Sequence, residues 1–316
     1  MCVVLRGAAS NCLAISSEFM NTETHTLAAL REERAKKARA LEAAGHALYP
    51  AKTARTHTLG EVREQAAALE ESGNEITIAG RVMALREHGA VVFFDLFDGT
   101  ARLQGTWKED ESDGEAMRLF LETVDRGDIV ECTGTIFTTK RGELSLLVQS
   151  WNMLAKTLTP LPTEHFGIHD EDERYRKRYL DILLNEDVRA RVMQRSVFWN
   201  SIRRFLLARD FVEVETPVLE TLPGGAEATP FTTHHNALDI DAYLRISCGE
   251  LWQKRLMVAG LPKTFEIGRV FRNEGMSAEH AQDYTQLELY EAFSDAEKGK
   301  KMIRELYTHV AQETLA

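Results

Sequence analysis

The sequence has 316 residues, 44% hydrophobic and 28% charged, an ordinary globular composition with room for roughly two domains. No stretch approaches the ~20 consecutive apolar residues of a membrane helix. A formal charge of −11 excludes generic coating of nucleic acid, which needs an excess of Lys and Arg, but not the reading of one RNA through a local site.

The first twenty residues, MCVVLRGAASNCLAISSEFM, hold a short apolar run without a charged n-region or a cleavage pattern, which argues against a signal peptide. Residues 1–21 are expected to be a disordered extension, or a spurious one ahead of a true start at Met20. Leu27, Leu30, Ala35, Ala38, Leu41 and Ala44 then recur at helical spacing until Gly45 stops the run. A second helix is expected near 59–72, so that 22–73 forms an N-terminal helical segment.

From Glu75 the period changes to two. EITIAGRVMALREHG, AVVFFDLFDG, TARLQGTWKED, GDIVECTGTIFTTKRG and ELSLLVQSWNML are five β-rich segments, with a helix-like insert near 115–123 between the third and fourth. That order predicts an OB-fold barrel over 74–157; by pattern alone an SH3-like barrel or half a sandwich competes. Residues 158–181, with two prolines, Gly167 and a charge run, read as a linker. The basic clusters REERAKKAR and RYRKR read as solvated faces.

A long amphipathic helix follows over about 187–208, with Val188, Val192, Val197, Ile202, Phe205 and Leu206 on its apolar side. The strand FVEVET ends at Pro217, ahead of the Gly-rich loop LPGGAEATPF. TFEIGRVFRNEG and DYTQLELYEAF predict an antiparallel hairpin with its loop over 275–283, and a helix starts at Lys298. One alternating face of the second strand carries Tyr284, Gln286, Glu288 and Tyr290, the other Thr285, Leu287 and Leu289. Arg272 and Glu274 share a face, and a planar arginine can bridge a phosphate and a carboxylate. A lone Arg–Glu pair is more often a solvated ion pair, but the rings and carboxylate beside this one point to a ligand.

FRNEG followed by His280 and YTQLELYEAF resembles motif 2 of the class II aminoacyl-tRNA synthetases, and FVEVETPVL resembles motif 1. PGGAEATPFTTHHNALDIDAYLRIS and THTLGEV are similar to the lysyl family within that class, and a barrel ahead of the catalytic domain marks the subgroup shared with the aspartyl and asparaginyl enzymes. The fold class so implied is α+β: an N-terminal helical segment, a five-stranded OB barrel, and over 182–316 the first part of an antiparallel-sheet catalytic domain. The resemblance implies ATP-dependent activation of L-lysine to lysyl-adenylate and transfer to tRNA(Lys). Arg272 would be catalytic, contacting the α-phosphate and the lysine carboxylate. Asn273, Glu274 and His280 would meet ATP, and Tyr284 would stack on adenine. Gly225, Glu250, Glu288 and Tyr290 would hold lysine, while Arg86, Phe93, Gln104 and Glu143 would read the anticodon. Motif 1 implies a homodimer.

The residue chemistry agrees. The substrate carboxylate is itself the nucleophile, so orientation and charge stabilisation suffice, and no Ser, Cys or His nucleophile is required. A buried cationic substrate needs carboxylates, which Glu250 and Glu288 supply. Aspartyl relatives place a lysine three residues beyond the position of Glu250, where this sequence has Gln253. Cys2, Cys12, Cys132 and Cys248 show no C-x-x-C pair, so a reducing compartment, the cytoplasm, is expected, without structural zinc. His234-His235 point to opposite faces of an extended chain and are read as structural. Gly224-Gly225 would let backbone approach the amino-acid substrate.

Three departures stand out. SCGEL has one residue more before Glu250 than the usual lysyl pattern, and Tyr284 stands where many relatives have Phe. The chain also ends before motif 3, which carries the second arginine and lies with the main Mg²⁺ ligands. A C-terminal truncation is therefore expected, inactive as it stands, with no metal site within this chain. The rivals are an aspartyl- or asparaginyl-type enzyme and a non-catalytic tRNA-binding paralogue.

Overall fold

The computed structural model describes residues 26–111, 113–162, 168, 170–275, 277 and 280–315. The extension expected at 1–21 lies outside them. The chain divides into two compact units, Met1–Gly167 and Ile168–Ala316.

In the first unit, helix α1 (Leu27–Ala43) begins where the Thr26 hydroxyl accepts the Ala29 N–H at 3.3 Å, a side-chain N-cap. Its inward side is less apolar than the spacing suggests. Ala38 and Leu41 are buried, Leu27 is exposed, and Arg34 is buried instead. Arg34 donates to Thr157 Oγ1 at 2.7 Å and to the Arg126 carbonyl at 3.0 Å, and Lys37 reaches Asp125 at 2.6 Å. Asp125 also meets Lys156 at 2.6 Å, whose buried ammonium bonds Asp128 at 2.7 Å. The basic run REERAKKAR, read as a solvated face, thus ties the helix down through two of its charges. The expected second helix breaks at Gln65 into α2 (Leu59–Glu64) and α3 (Ala66–Ser72), the first closed by a Thr58–Glu61 capping box.

The barrel follows as β1 (Ile76–His88), β2 (Val91–Phe97), β3 (Arg102–Lys108), α4 (Gly114–Thr123), β4 (Ile129–Thr138) and β5 (Leu144–Ala155). It closes in the order β1-β2-β3-β5-β4, with β3 and β5 parallel, which is the OB arrangement and removes the SH3-like and sandwich alternatives. The alternation of β2 decides its faces: Val92, Phe94 and Leu96 are buried, while Val91, Phe93 and Asp95 look outward. Phe94 lies directly opposite Gly105, where a Cβ would come within 2.2 Å of the ring, so only glycine leaves room. Phe120 of α4 packs on Phe94 at 4.8 Å and edge-on against Trp151 at 5.1 Å, filling the barrel with aromatic surface.

Asp98 joins α2 to this barrel. It accepts the Leu59 N–H at 3.0 Å, the Thr100 N–H at 2.8 Å and hydroxyl at 2.6 Å, and the Ala101 N–H at 3.3 Å. Burial alone would raise its pKa, but these hydrogen bonds together outweigh burial and hold the carboxyl below its usual range. A depressed folded pKa contributes stability that is complete above the unfolded value of about 3.9 and lost as pH falls through the folded one. Asp98→Asn should therefore be less stable at neutral pH yet lose less than the parent chain on acidification below about pH 4. Parallel acid-unfolding curves for the two proteins would refute the assignment.

The second unit holds α5 (Glu171–Arg176), α6 (Arg178–Leu184), α7 (Glu186–Leu207), β6 (Val212–Glu213), β7 (Leu219–Glu220), β8 (Thr232–His235), β9 (Ile240–Leu244), α8 (Glu250–Val258), β10 (Lys263–Phe271), β11 (Asp283–Glu291) and α9 (Ala296–Leu315). Where the sequence suggests a linker to residue 181, α5 and the start of α6 are helical and Asp181 is buried. Asp170 caps α5 through the Glu173 N–H at 2.7 Å, a start signal hidden inside the charge run. Of FVEVET only Val212 and Glu213 pair, in parallel with β10. On α7, Val188, Ile202, Phe205 and Leu206 are buried, but Val192 and Val197 are exposed, against the expectation of one continuous buried stripe.

β10 and β11 form the expected hairpin, with Phe265 opposite Leu289 and Glu266 opposite Glu288. Its odd-numbered face, Phe265, Ile267, Leu287 and Leu289, packs with Phe205, Leu206, Leu306 and Val310 of α7 and α9. The even-numbered face is thereby left for other work. Among the described residues no helix is long and apolar enough to cross a membrane.

Candidate functional site

The even face of the hairpin sets two carboxylates directly opposite each other, Glu266 and Glu288. Like charges so placed repel unless each is compensated. Glu266 is compensated fully. Arg245 Nη1 donates to its Oε1 at 2.5 Å and the Thr216 hydroxyl to its Oε2 at 2.6 Å, all three groups being buried. Arg245 Nε also donates to the Arg269 carbonyl at 2.8 Å, and Gly268 makes this possible, since a Cβ there would meet the guanidinium at 2.1 Å. This knot joins the end of FVEVET to β9 and β10. Sequence reasoning missed it, although a lone charge in each of YLRIS and TFEIG, otherwise apolar runs, was a signal.

Glu288 is compensated only by neutral donors. Its Oε1 accepts the Ser247 hydroxyl at 2.5 Å and the Cys248 N–H at 3.1 Å, and no cation lies within ion-pair distance among the described residues. Tyr290, two residues on, is pushed up to about 12 by burial and by the charges of Glu288 and Glu250. Glu250 opens α8 after Gly249 in the left-handed region and reaches Lys254 at 2.5 Å. Gly225, also left-handed, lies so close that a Cβ there would come within 2.7 Å of the Ser247 hydroxyl and 2.9 Å of Glu250. Glu288, Glu250 and Gly225, distant in sequence, therefore gather around Ser247, with Tyr290 close enough to both carboxylates to feel their charge. Gln253 is not on this surface: it is buried, donating to the Cys248 carbonyl at 2.9 Å and accepting the Thr264 hydroxyl at 3.0 Å.

Arg272 and Tyr284 lie on the same face. The Arg272 guanidinium carbon is 5.6 Å from the centre of the Tyr284 ring, and its Nε points to the Ile246 carbonyl at 3.4 Å. The run 246–248 thus underlies both Arg272 and Glu288. Asn273 N–H donates to the Thr229 carbonyl at 2.8 Å and Glu274 accepts the Thr229 N–H at 3.3 Å, fastening the strand end to the Gly-rich loop. Gln286, between Tyr284 and Glu288 on that face, has a buried Oε1 without a partner among the described residues. The structure gives the His280 ring one polar partner among the described residues, the Ser277 hydroxyl, 2.6 Å from its Nδ1. Among the described residues no group of three or more His, Cys, Asp or Glu is placed to hold a metal ion.

On the barrel, Arg86, Phe93, Gln104 and Glu143 line one cleft of about 650 Å³ together with His88, Thr139, Lys140 and Arg141. Arg86 sits opposite Phe93 across β1 and β2, and Gln104 opposite Asp95 across β2 and β3. Arg86 pairs with Asp95 at 2.9 Å and Gln104 donates to Ser145 at 2.8 Å, which fixes both side chains. Phe93 is the outward ring and Phe94 the core ring. The turn after β4 contributes Lys140 and Arg141, not assigned from sequence although TTKRGE announces a basic turn. A half-buried ring among cations and amides suits an unstacked base and its phosphate.

Residues 170–316 match the family model for class II tRNA synthetases (D, K and N), and residues 76–154 match that for the OB-fold nucleic acid binding domain. The chain is similar to the lysine–tRNA ligase of Clostridium tetani, 44% identical over 262 residues, which is 83% of this chain and 51% of the relative. It is 43% identical over 286 residues to that of Clostridium novyi, 90% of this chain and 55% of the relative. To that of Clostridium kluyveri it is 42% identical over 264 residues, 84% and 52% respectively. The chain spans about half the length of these curated relatives.

Proposed function

We propose that the chain is the N-terminal portion of a lysine–tRNA ligase, within the class II tRNA synthetases of the D, K and N group whose family model residues 170–316 match. The whole enzyme joins L-lysine to ATP and passes the lysyl group to tRNA(Lys). One observation carries the reading. The hairpin face holds a carboxylate, Glu288, that the fold supplies with hydroxyl and amide donors but, among the described residues, with no cation. The ε-ammonium of lysine completes it, with Glu250 and Gly225 at the α-amino end.

In the reaction the lysine carboxylate attacks the α-phosphorus of ATP, a C–O–P link forms, and pyrophosphate leaves with the electron pair of the broken bond. Arg272 holds carboxylate and α-phosphate together and takes up charge on the phosphoryl oxygens. Tyr284 stacks on adenine, Asn273 and Glu274 bound the nucleotide beside Thr229, and His280 meets ATP. Magnesium, when bound with the phosphates, would supply further charge neutralisation. Met193 and Val197, exposed on α7, support a homodimer through this helix.

The barrel cleft reads the anticodon, with Phe93 under the central uridine and Arg86, Gln104 and Glu143 on base edges. Phe93→Ala should weaken binding of a lysine anticodon stem-loop by ~1–3 kcal/mol, the worth of one stacked base. Fluorescence titration of that stem-loop with the two proteins is the test. Equal affinities, or indifference to replacing the central uridine, would refute the assignment.

A further inference from the structure

Helices α5, α6 and α7 bring Arg174, Arg178, Arg191 and Arg195 to one cleft of about 420 Å³, beside Tyr175 and Glu171. Two of the arginines are held by a buried carboxylate. Asp181 accepts Arg174 Nε at 3.1 Å and Arg178 Nη1 at 2.7 Å, and Arg178 lies over the Tyr175 ring at 4.5 Å. Each of these guanidiniums uses one nitrogen on Asp181 and keeps further donors. Arg191 and Arg195, one turn apart on α7, have no hydrogen-bond or ion-pair partner among the described residues. Four guanidiniums thus meet two carboxylates, a local positive excess on a chain of net charge −11.

Cations gathered this closely repel one another unless an anion lies among them, and the planar guanidinium fork matches phosphate. Arg191 and Arg195 are spaced roughly 6 Å along the helix axis, so they suit successive phosphates of a strand better than a single one. Tyr175 and Tyr179 are both exposed nearby, as rings beside a nucleic-acid strand would be. Met193 and Val197 point roughly 160° away from Arg195 around α7, so a second copy covering that stripe leaves the cleft open. We infer that this cleft is a second RNA contact, taking the phosphodiester backbone without regard to base sequence. RYRKR, read as a solvated face, supplies half of it.

The inference stands on the arginines and not on the anticodon assignment, and its test keeps the two apart. A labelled 12-base-pair RNA duplex has no unpaired base for the barrel cleft to stack. In anisotropy titrations with the full chain, Arg191→Ala/Arg195→Ala should weaken duplex binding about a hundredfold, roughly tenfold for each charge-assisted contact removed. The slope of log affinity against log salt should become shallower by about 2, one for each phosphate left without its arginine. The loss should be equal for two unrelated duplex sequences, and Arg191→Lys/Arg195→Lys should retain the slope. Phe93→Ala should leave duplex binding unchanged. Duplex affinity and slope unaltered in the alanine variant would overturn the inference. So would a drop in oligomeric mass by light scattering without a change in RNA affinity, which would make the cleft an interface between copies.

Discussion

Arg272→Lys is expected to lower lysine-dependent ATP–pyrophosphate exchange by about 10²–10³-fold in an enzyme of the relatives' full length carrying this sequence. Lysine preserves the charge, so a purely Coulombic role would survive the change. The proposed role needs two separated, coplanar donors, one for the α-phosphate and one for the substrate carboxylate, and an ammonium offers a single point. The geometry leaves Arg272 able to do this: its Nε is directed at the Ile246 carbonyl, and its terminal nitrogens have no hydrogen-bond partner among the described residues. Binding of an anticodon stem-loop should be unchanged, because the barrel forms its own unit. Exchange at near-parental rate would remove Arg272 from the chemistry.

Arg245→Met should destabilise the second unit by about 3–5 kcal/mol, the cost of leaving a buried carboxylate without its cation. Glu266 would face Glu288 with only the Thr216 hydroxyl for compensation, and the Arg269 carbonyl would lose its donor. Hydrogen exchange resolves the effect by segment: protection should fall across β9 and β10 and hold in β1 to β3. Arg245→Met/Glu266→Leu removes both charges and should recover much of the loss, since a buried ion pair is often matched by an apolar pair of similar volume. A single variant that loses under about 1 kcal/mol would show that Glu266 is not held by this pair.

The sequence by itself determined the order of elements, the barrel and the alternation of the hairpin. These are local: period two in VVFFDLF assigns Val92, Phe94 and Leu96 to one face, and in YTQLELY it separates Tyr284, Gln286, Glu288 and Tyr290 from Leu287 and Leu289. The helix expected near 59 does start there, where Thr58 caps α2, whereas the charge run hid the start that Asp170 caps. What alternation leaves open is which face meets the core and which charges meet each other. Phe93 and Phe94 are the same residue type, and the choice between them was made by Gly105 on the neighbouring strand, which leaves space for one ring only. Val192 and Val197 keep helical spacing with Val188, yet α9 covers only the C-terminal half of α7. Glu266 and Glu288 are alike in sequence, each an acid in a strand. Tertiary structure separated them by giving Arg245 to the first and, among the described residues, only hydroxyl and amide donors to the second, because a partner's charge comes from distant chain and leaves no periodic trace.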